Sequence, residues 1–516
     1  MAQTTGGSAP SGGTRLQRRS LGVGHLVFMI VAASAPLTAV AGGQATTYLV
    51  TGNKAVPFMF IPLGIVLGIF SIGYAAMSRH VANAGAFYSY VSRGLGKVGG
   101  VGAAFVALIA YNAMQIGIYG LFGVAFGAFM SGRLGINEPW WVWVLVGWAV
   151  IAVLGVLQID LNARVLAVLL TLEVLAVALF DLAVLAKPGP EGLTTIGFNP
   201  LVAFGAAAGA TLTFSVASFM GFESAAIYSE ECRNPRKTVA RATLIGVSFI
   251  ALFYALSSWM VGVAAGPDTM VDPKAMLKAG YATAGTPDPT TVLFIAGQER
   301  LGVAWGDAAS LLFITSIFAA NLSFHNAVAR YIFALGREGV LPRLFGRVHP
   351  RTGSPWIASI SQSLLAVVVF GIFAILGLNP LLTLFTWLTN LGALGVLLLM
   401  SVTSFAVASY FRRNPEAELG RWTTTIAPTV AGVLLVALLV LGVANFNVLI
   451  TSSTTAPLSP LTVILPVILF GGGLAGLLVG AFLRSRRPDV YAGIGEGAGP
   501  MEPESEEAVP QGQVSG

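Results

Sequence analysis

The chain has 516 residues, of which 55% are hydrophobic and only 10% are charged, and its mean hydropathy is +0.81. Because soluble domains carry about 25% charged residues, this composition excludes an ordinary soluble protein and predicts an integral membrane protein. The net charge of +6 does not indicate nucleic-acid binding, since the basic residues lie in short loops, and a single cysteine, Cys232, excludes an intrachain disulfide framework.

Twelve apolar segments are long enough to cross a bilayer, which takes about 20 residues in a helix. They cover residues 21–43, 55–78, 99–131, 138–158, 163–186, 201–229, 240–265, 305–335, 356–377, 380–410, 424–448 and 459–483. The first run is too long for a signal-peptide core, so it is interpreted as a retained span. The sequence therefore predicts an all-α membrane protein with twelve transmembrane helices.

The distribution of basic residues predicts the orientation of these helices. With the N-terminus in the cytoplasm, 22 of the 28 lysines and arginines fall on the cytoplasmic side and 6 on the other. This asymmetry predicts a multi-pass plasma-membrane protein with both termini in the cytoplasm. The small, polar stretch 1–20 and the Gly-, Pro- and Glu-rich stretch 485–516 are predicted to be disordered cytoplasmic tails.

Two spans carry residues that interrupt a helix near the middle of the bilayer. Span 1 contains Pro36, which removes a backbone donor, and span 6 contains Gly221 two residues before Glu223. A charged side chain at membrane depth costs roughly 2.5–3.5 kcal/mol and usually marks a transport path. The alternative is that Pro36 and Gly221 are ordinary kinks or close-packing sites of membrane helices.

Other polar residues within the spans have two interpretations each. Glu173, in the middle of span 5, indicates a proton-coupling or gating group, or else a polar bond to a neighbouring helix. Asn112 and Gln115 share one face of span 3, where they line the pathway or pack between helices. His325 in span 8 is interpreted as a hydrogen-bonded packing residue.

Three sequence blocks carry a family resemblance. They are HVANAGAFYSYVSRGLGKVGG at 80–100, GFESAAIYSEECRNPRKTVARA at 221–242, and HNAVARYIFALGREGVLPRLFGRVHPRTGSP at 325–355. In this order they resemble the blocks of the amino acid–polyamine–organocation (APC) transporter superfamily that follow helix 2, form helix 6, and form helix 8 with its loop. The resemblance covers about residues 21–484, although Ala240-Arg241-Ala242 stands where the family has a proline.

The resemblance implies a fold of two inverted repeats of five helices. The first repeat would be 21–186 and the second 201–410, giving a transport core of 21–410, followed by two additional helices in 411–484. In that fold the first helix of each repeat, helix 1 and helix 6, is broken at the midplane, and the substrate lies between the breaks.

Unwound backbone at the breaks suits a zwitterion, because it offers N–H groups to a carboxylate and carbonyl groups to an ammonium. Ala217 stands where several relatives have an aromatic gate, which Phe219 or Phe222 would then supply. The predicted substrate-binding residues are Ser34, Ala35, Pro36, Leu37, Asn112, Gln115, Ala217, Ser218, Phe219, Gly221 and Glu223, and the predicted coupling residues are Glu173 and Glu223.

Two local features of the resemblance favour a cationic substrate. The Ser-Ala-Pro run of span 1 is closer to the putrescine-importer branch than to the Gly-Ser-Gly-like run of many relatives, and GFESA is similar to the GVESA of arginine/agmatine antiporters. Glu223 would then bind an amine or carry a proton, and the alternative is a structural carboxyl. The scarcity of other intramembrane acids argues against a polycation.

These observations predict a secondary transporter that moves an amino acid by alternating access, coupled to protons or working by exchange. The alternative is a polyamine or cationic amine carrier of the same fold. The expected partners are a small-molecule amino acid or amine, protons and the lipid bilayer, with no nucleic acid. No phosphate-binding GxxxxGK[ST] motif and no catalytic His, Cys and Asp arrangement is present, so the chain is predicted not to be an enzyme and to need no metal or cofactor.

Overall fold

The computed structural model describes residues 22–81, 86–157, 163–223, 235–350, 352–415 and 419–495. Eleven helices within these ranges are long and apolar enough to cross a membrane, and the predicted sixth span begins with the shorter apolar helix Ala208–Ala217. The predicted helical membrane fold is confirmed. The bounds of most helices differ from the predicted ones by a few residues, but span 1 continues to Thr51 instead of 43 and the span 6 helix begins at Ala208 instead of 201.

The spans follow the chain in order. They are span 1 (Val23–Ser34, the π-helical turn Thr38–Gln44, and Ala45–Thr51), span 2 (Val56–Met77), span 3 (Lys97–Leu134), span 4 (Trp140–Leu157), span 5 (Ala163–Ala186), the first half of span 6 (Ala208–Ala217), span 7 (Pro235–Ala265), span 8 (Val303–Arg337), span 9 (Trp356–Ile375), span 10 (Pro380–Phe385 and Thr386–Arg413), span 11 (Trp422–Ile426 and Ala427–Ala444) and span 12 (Pro460–Arg486).

Short elements connect the spans. The long loop between spans 7 and 8 contains the helix Thr291–Leu301. A two-residue antiparallel pair precedes it, in which Ala282 faces Pro287 and Thr283 faces Thr286. The other short helices are Ala86–Leu95, Ile196–Phe198, Pro200–Ala203, Pro267–Val271, Pro273–Lys278, Arg343–Gly346, Phe446–Thr451 and Pro488–Gly493.

Burial separates central spans from peripheral ones. In an 18-residue apolar stretch of each span, the buried share is 83% in span 10 and 78% in span 3 but only 22% in span 12. Span 12 packs on span 3 through glycines: an added Cβ on Gly476 would lie 2.7 Å from the carbonyl oxygen of Val101. Small residues allow membrane helices to approach this closely, so span 12 forms an outer layer against the centre of the bundle.

Spans 1 and 6 are both interrupted, as predicted. The α-helix of span 1 stops at Ser34 and resumes at Pro36, and the helix of span 6 ends at Ala217 and gives way to turns at 218–223. The second half of span 6 lies outside the described residues. The two interruptions are the features that position the candidate site.

Candidate functional site

The break in span 1 is made by one residue in an unusual conformation. Ala35 has φ +47° and ψ 76°, in the left-handed region, where a residue with a Cβ costs of order 1–3 kcal/mol. Pro36 follows as the first residue of the second half-helix, the position that proline favours because its missing N–H would have no helical partner there. Pro36 therefore starts a helix rather than kinking one, and the strain is carried by Ala35.

The break in span 6 relies on Gly221, which has φ +108°. A Cβ added to Gly221 would lie 2.7 Å from the Cβ of Ala33 and 3.0 Å from its carbonyl carbon, distances that real side chains essentially never show. Both the backbone angle and the close contact therefore require glycine. The contact also shows that the two breaks pack directly against each other.

Glu223 holds the break of span 6 in shape. Its Oε2 accepts a hydrogen bond from the N–H of Gly221 at 2.9 Å, and its Oε1 accepts one from the hydroxyl of Tyr111 in span 3 at 2.7 Å. Its backbone carbonyl accepts a further bond from the hydroxyl of Tyr74 in span 2 at 3.2 Å. Glu223 is only 3% exposed, so these donors replace the water that its carboxyl would otherwise need.

Glu173 makes the corresponding contact with the break of span 1, but from a different helix. Its carboxylate lies near the backbone N–H of Leu37, one of the free donors at the start of the second half-helix. Its Oε2 accepts a hydrogen bond from the hydroxyl of Ser316 in span 8 at 2.7 Å, and Ser316 Oγ in turn accepts from the hydroxyl of Thr38 at 2.9 Å. The 5% exposed Glu173 thus joins spans 5, 8 and 1 at the break.

A tyrosine of span 7 fixes the other side of the same break. The hydroxyl oxygen of Tyr254 lies 3.1 Å from the carbonyl oxygen and 2.9 Å from Oγ of Ser34, and the hydroxyl of Ser34 donates to the carbonyl of Val31 at 2.8 Å. The last turn of the first half-helix is therefore held by span 7, while the first turn of the second half-helix is held by Glu173.

A small central cavity, with a volume of about 50 Å³, lies beside the two breaks. Three hydroxyl side chains at the breaks and one on span 10 are its polar contributors, and the rest of its wall is alanine, aromatic and other apolar residues. The lining residues are Ala33, Ser34, Ala35, Thr38, Ala39, Gly43, Met114, Ile118, Phe214, Ala217, Ser218, Met220, Ala320, Phe324, Phe385 and Thr389. No charged side chain is present in this lining.

A second, wider cavity lies at the end of the bundle where span 1 finishes. It has about 1140 Å³ of space open to its surroundings and is lined by residues that include Thr51, Asn53, Leu382 and Ser452. Leu382 lines this wider cavity. Phe385, three residues further along span 10, lines the central cavity and contacts Phe214 with ring centroids 6.0 Å apart. The start of span 10 is therefore shared by the walls of both cavities.

The predicted site residues fall into two groups in the structure. Ser34, Ala35, Ala217 and Ser218 line the central cavity. The others are not part of its lining: Pro36, Leu37, Asn112, Gln115, Phe219, Gly221 and Glu223.

Residues of the second group have identifiable partners. Asn112 Nδ2 donates to the carbonyl of Leu108 in its own helix at 2.6 Å, and Gln115 Oε1 accepts from the side-chain amide of Gln362 in span 9 at 2.5 Å. Phe219 packs its ring on Phe60 with centroids 5.8 Å apart. The acidic and basic cluster after Glu223 lies outside the residues whose side chains are described.

Several residues at the site were not predicted from the sequence. The unpredicted lining residues include Met114, Ile118, Phe214, Ala320, Phe324, Phe385 and Thr389, and the unpredicted partners of the two carboxyls are Tyr111 and Ser316. Met114 and Ile118 share an i, i+4 face of span 3, but in a span apolar on all sides this spacing does not separate a cavity wall from ordinary packing.

Comparisons with known proteins agree with this architecture. A profile of the family described as "Amino acid permease" matches residues 21–469. The low-affinity putrescine importer PlaP of Escherichia coli (strain K12) is 24% identical over 392 residues, covering 73% of this chain and 78% of the importer. The branched-chain amino acid permease BcaP of Lactococcus lactis subsp. cremoris (strain MG1363) is 25% identical over 390 residues, covering 71% of this chain and 77% of that permease.

A solved structure shares the fold at low sequence identity. A mutant manganese transporter of Eremococcus coleocola superposes with a TM-score of 0.52 at 16% identity, covering 91% of this chain and 94% of that chain. The likeness concerns the fold alone. Within the described residues of the present chain, no group of three or more His, Cys, Asp or Glu side chains is placed to hold a metal ion.

Proposed function

Because the chain belongs to the amino acid permease family, a family of multi-pass membrane transporters, we propose that it moves a neutral amino acid with an apolar side chain across the plasma membrane. The movement occurs by alternating access, in which the central cavity opens to the two sides of the membrane in turn. Both termini lie in the cytoplasm. Glu173 couples it to the proton gradient.

The observation that carries this proposal is the packing of the two breaks against each other beside the central cavity. The break at Ala35 and the turns at 218–223 interrupt the regular helical pairing of the backbone, and Ser34 and Ser218 add hydroxyls to the same wall. Backbone groups at half-helix ends are suited to the carboxylate and ammonium of an amino acid. The main-chain end of the substrate would therefore lie against the breaks.

The rest of the cavity wall supports an apolar side chain. Met114, Ile118, Phe214 and Phe324 contribute hydrocarbon surface, and Ala320 leaves space between them. Burying a charged side chain against such a wall without a partner would cost several kcal/mol or more. A lysine or arginine substrate is therefore disfavoured, and an aliphatic substrate is favoured.

The contacts of Glu173 support its role in coupling. Its carboxylate accepts a hydrogen bond from Ser316 of span 8, and Ser316 accepts one from Thr38 beside the break of span 1. Gain of a proton would therefore weaken a link between two elements that border the cavity. Neutralising the carboxylate would remove charge-assisted acceptors, which are about twice as strong as neutral ones. Proton binding and the geometry of the break would therefore depend on each other.

A second candidate is an amine carrier, such as a transporter of putrescine. PlaP, which is named a putrescine importer, resembles this chain over most of its length, and Glu223 lies close to the lining residues Ser218 and Met220 along the chain. Against it, both oxygens of Glu223 already accept hydrogen bonds from Gly221 and Tyr111. A diamine would have to displace one of these donors.

The test is uptake of radiolabelled compounds into proteoliposomes with and without an inward proton gradient. The panel contains leucine, valine, alanine, lysine and putrescine, and empty liposomes serve as the control. We expect gradient-stimulated uptake of leucine or valine, with lysine and putrescine near the control. Uptake of putrescine alone would replace the proposal with the second candidate, and uptake of no member by folded protein would contradict both.

A further inference from the structure

The C-terminal segment 488–495 is docked onto the bundle although it lies beyond the last span. It begins with the short helix Pro488–Gly493 and ends at Gly495. Two apolar side chains one helical turn apart, Val490 and Ile494, are 8% and 1% exposed. Their burial shows that the segment packs against the bundle.

The surface is formed by three separate parts of the chain. They are the helix Ala86–Leu95 after span 2, the start of span 3, and the end of span 8. Lys97 at the start of span 3 donates a hydrogen bond to the carbonyl of Ala492, and Gly339 just after span 8 leaves room for Val490, whose Cγ1 would lie 3.2 Å from an added Cβ. The segment therefore contacts elements that are far apart in sequence.

Three groups linked by hydrogen bonds hold the end of the segment in place. The hydroxyl of Tyr88 donates to Oε2 of Glu338, and the N–H of Gly495 lies 3.1 Å from the Tyr88 oxygen and 3.3 Å from Oε2 of Glu338. Burial, assisted by the charge of Glu338, raises the pKa of Tyr88 above its ordinary value, so this hydroxyl keeps its proton and remains a donor. The last described residue thus joins the helix Ala86–Leu95 to the end of span 8.

The docked segment lies at the end of a helix face that leads to the central site. Glu338 is seven residues beyond Tyr331, two turns or about 10 Å along span 8 at 1.5 Å per residue. The ring of Tyr331 lies 5.8 Å from that of Tyr111, whose hydroxyl donates to Glu223. The segment therefore covers the end of the bundle that lies opposite the second, wider cavity. The buried carboxyl of Glu223, at the break of span 6, lies between these two ends.

We propose that residues 488–495 form a C-terminal latch that holds the helix Ala86–Leu95 against the end of span 8 and must release for the transport pathway to open on this side. The latch goes beyond the proposed substrate and coupling, but its effect on uptake rests on transport by alternating access. Residues 496–516, which carry five glutamates at 496, 502, 504, 506 and 507, follow the latch in the sequence.

A disulfide tests whether release is required. A Cβ added to Gly495 would lie 2.8 Å from the Cβ of Ser92, so Ser92→Cys with Gly495→Cys is within reach of a disulfide after a shift of about 1 Å of the chain end. The background is Cys232→Ser, which removes the only native cysteine. The two single-cysteine variants under the same oxidation are the controls for strain at Gly495.

We expect the double variant to cross-link readily and to lose at least tenfold in uptake when oxidised, with recovery on reduction. Equal uptake by the oxidised and reduced forms would overturn the requirement for release. Absence of a cross-link would overturn the docking itself. If the Cys232→Ser protein transports nothing in the panel, the proposed function fails while cross-linking still reports on docking.

Hydrogen exchange tests the latch without any transport assay. Deletion of 488–516 is compared with the matched deletion of 496–516, which leaves the latch intact. We expect the longer deletion to speed exchange at the backbone amides of Ala86–Leu95 by at least tenfold and the shorter deletion to leave it unchanged. Equal exchange in the two deletions would contradict the latch.

Discussion

The two helix breaks of this protein are built in different ways. The break of span 6 carries its own glycine and its own carboxylate: Gly221 supplies the conformation, and Glu223, two residues later, bonds back to the Gly221 N–H, with further bonds from spans 2 and 3. The break of span 1 has no acid of its own. Ala35 adopts a strained conformation there, and the residues beside it are bound by Tyr254 of span 7 and, through Ser316, by Glu173 of span 5.

This difference separates a fixed element from an adjustable one. A break whose shape is set by a glycine and a local carboxylate changes little when distant helices move. A break held by side chains from spans 5, 7 and 8 responds to movement of those spans and to the protonation of Glu173. We therefore propose that the break of span 6 keeps its shape during transport, whereas the break of span 1 changes shape with proton binding.

The largest effect is expected from Gly221→Ala. The new Cβ would meet Ala33 at 2.7 Å in a left-handed conformation, and each of these costs of order 1–3 kcal/mol, so uptake falls roughly a hundredfold or the protein fails to fold. The matched variant is Ala35→Gly, in which glycine relieves the strain of φ +47° and uptake is retained. Thermal unfolding and uptake are measured for both, and wild-type behaviour of Gly221→Ala would refute the fixed-element account.

A smaller loss is expected from Glu223→Gln. Glutamine can still accept from Gly221 or Tyr111 with one oxygen but loses the second charge-assisted bond, worth about 1.5–3 kcal/mol. KM for the transported amino acid should rise about tenfold or more while stimulation by the proton gradient persists. Initial uptake rates over a range of substrate concentrations measure this, and loss of gradient stimulation with an unchanged KM would exchange the roles of the two carboxyls.

The link from Glu173 to span 8 is tested by Ser316→Ala. Removing the hydroxyl that connects Glu173 with Thr38 should lower gradient-driven uptake about tenfold and shift its pH profile, since a hydrogen bond to a charged group contributes about 1.5–3 kcal/mol. The control on the same helix is Ser310→Ala, whose hydroxyl bonds only to the carbonyl of Gly306 in the described structure. Equal effects of the two substitutions would remove span 8 from the coupling.

The smallest effect is expected from Tyr254→Phe, which loses the hydroxyl at Ser34 but keeps the ring. KM should rise about two- to fivefold, because one hydrogen bond of about 1 kcal/mol positions the last turn before the break. Tyr48→Phe is the matched control, since its hydroxyl joins the same two spans through the carbonyl of Ser258, at a position not in the cavity lining. The two variants differ in KM if Tyr254 orients the break, and they match if both tyrosines only pack.

Both breaks could be predicted from the sequence because proline, glycine and an intramembrane acid have strong local meanings. Pro36, Gly221 and Glu223 stand out against an apolar background, and they led to Ser34, Ala35 and Ser218, which line the cavity. Ala217, which also lines it, was predicted from the family resemblance. The strain at Ala35 gave no signal, because alanine is common in any helix.

The partners of the carboxyls could not be predicted for a different reason. Tyr111 and Ser316 lie 112 and 143 residues from the carboxyls they contact, and single polar residues in apolar spans carry no pattern that pairs them. Gln115 had two interpretations, lining the pathway or packing between helices, and its bond to Gln362 favours the second. The sequence did not separate them, because the face of a wholly apolar span is decided by packing between helices rather than by periodicity.

The most direct test of the account compares gradient-driven uptake with counterflow in Glu173→Gln. The account predicts that this variant exchanges internal for external substrate at close to the wild-type rate but shows no stimulation by an inward proton gradient, since the glutamine cannot take up the coupled proton. Gradient stimulation equal to that of the wild-type protein would contradict the assignment of coupling to the break of span 1.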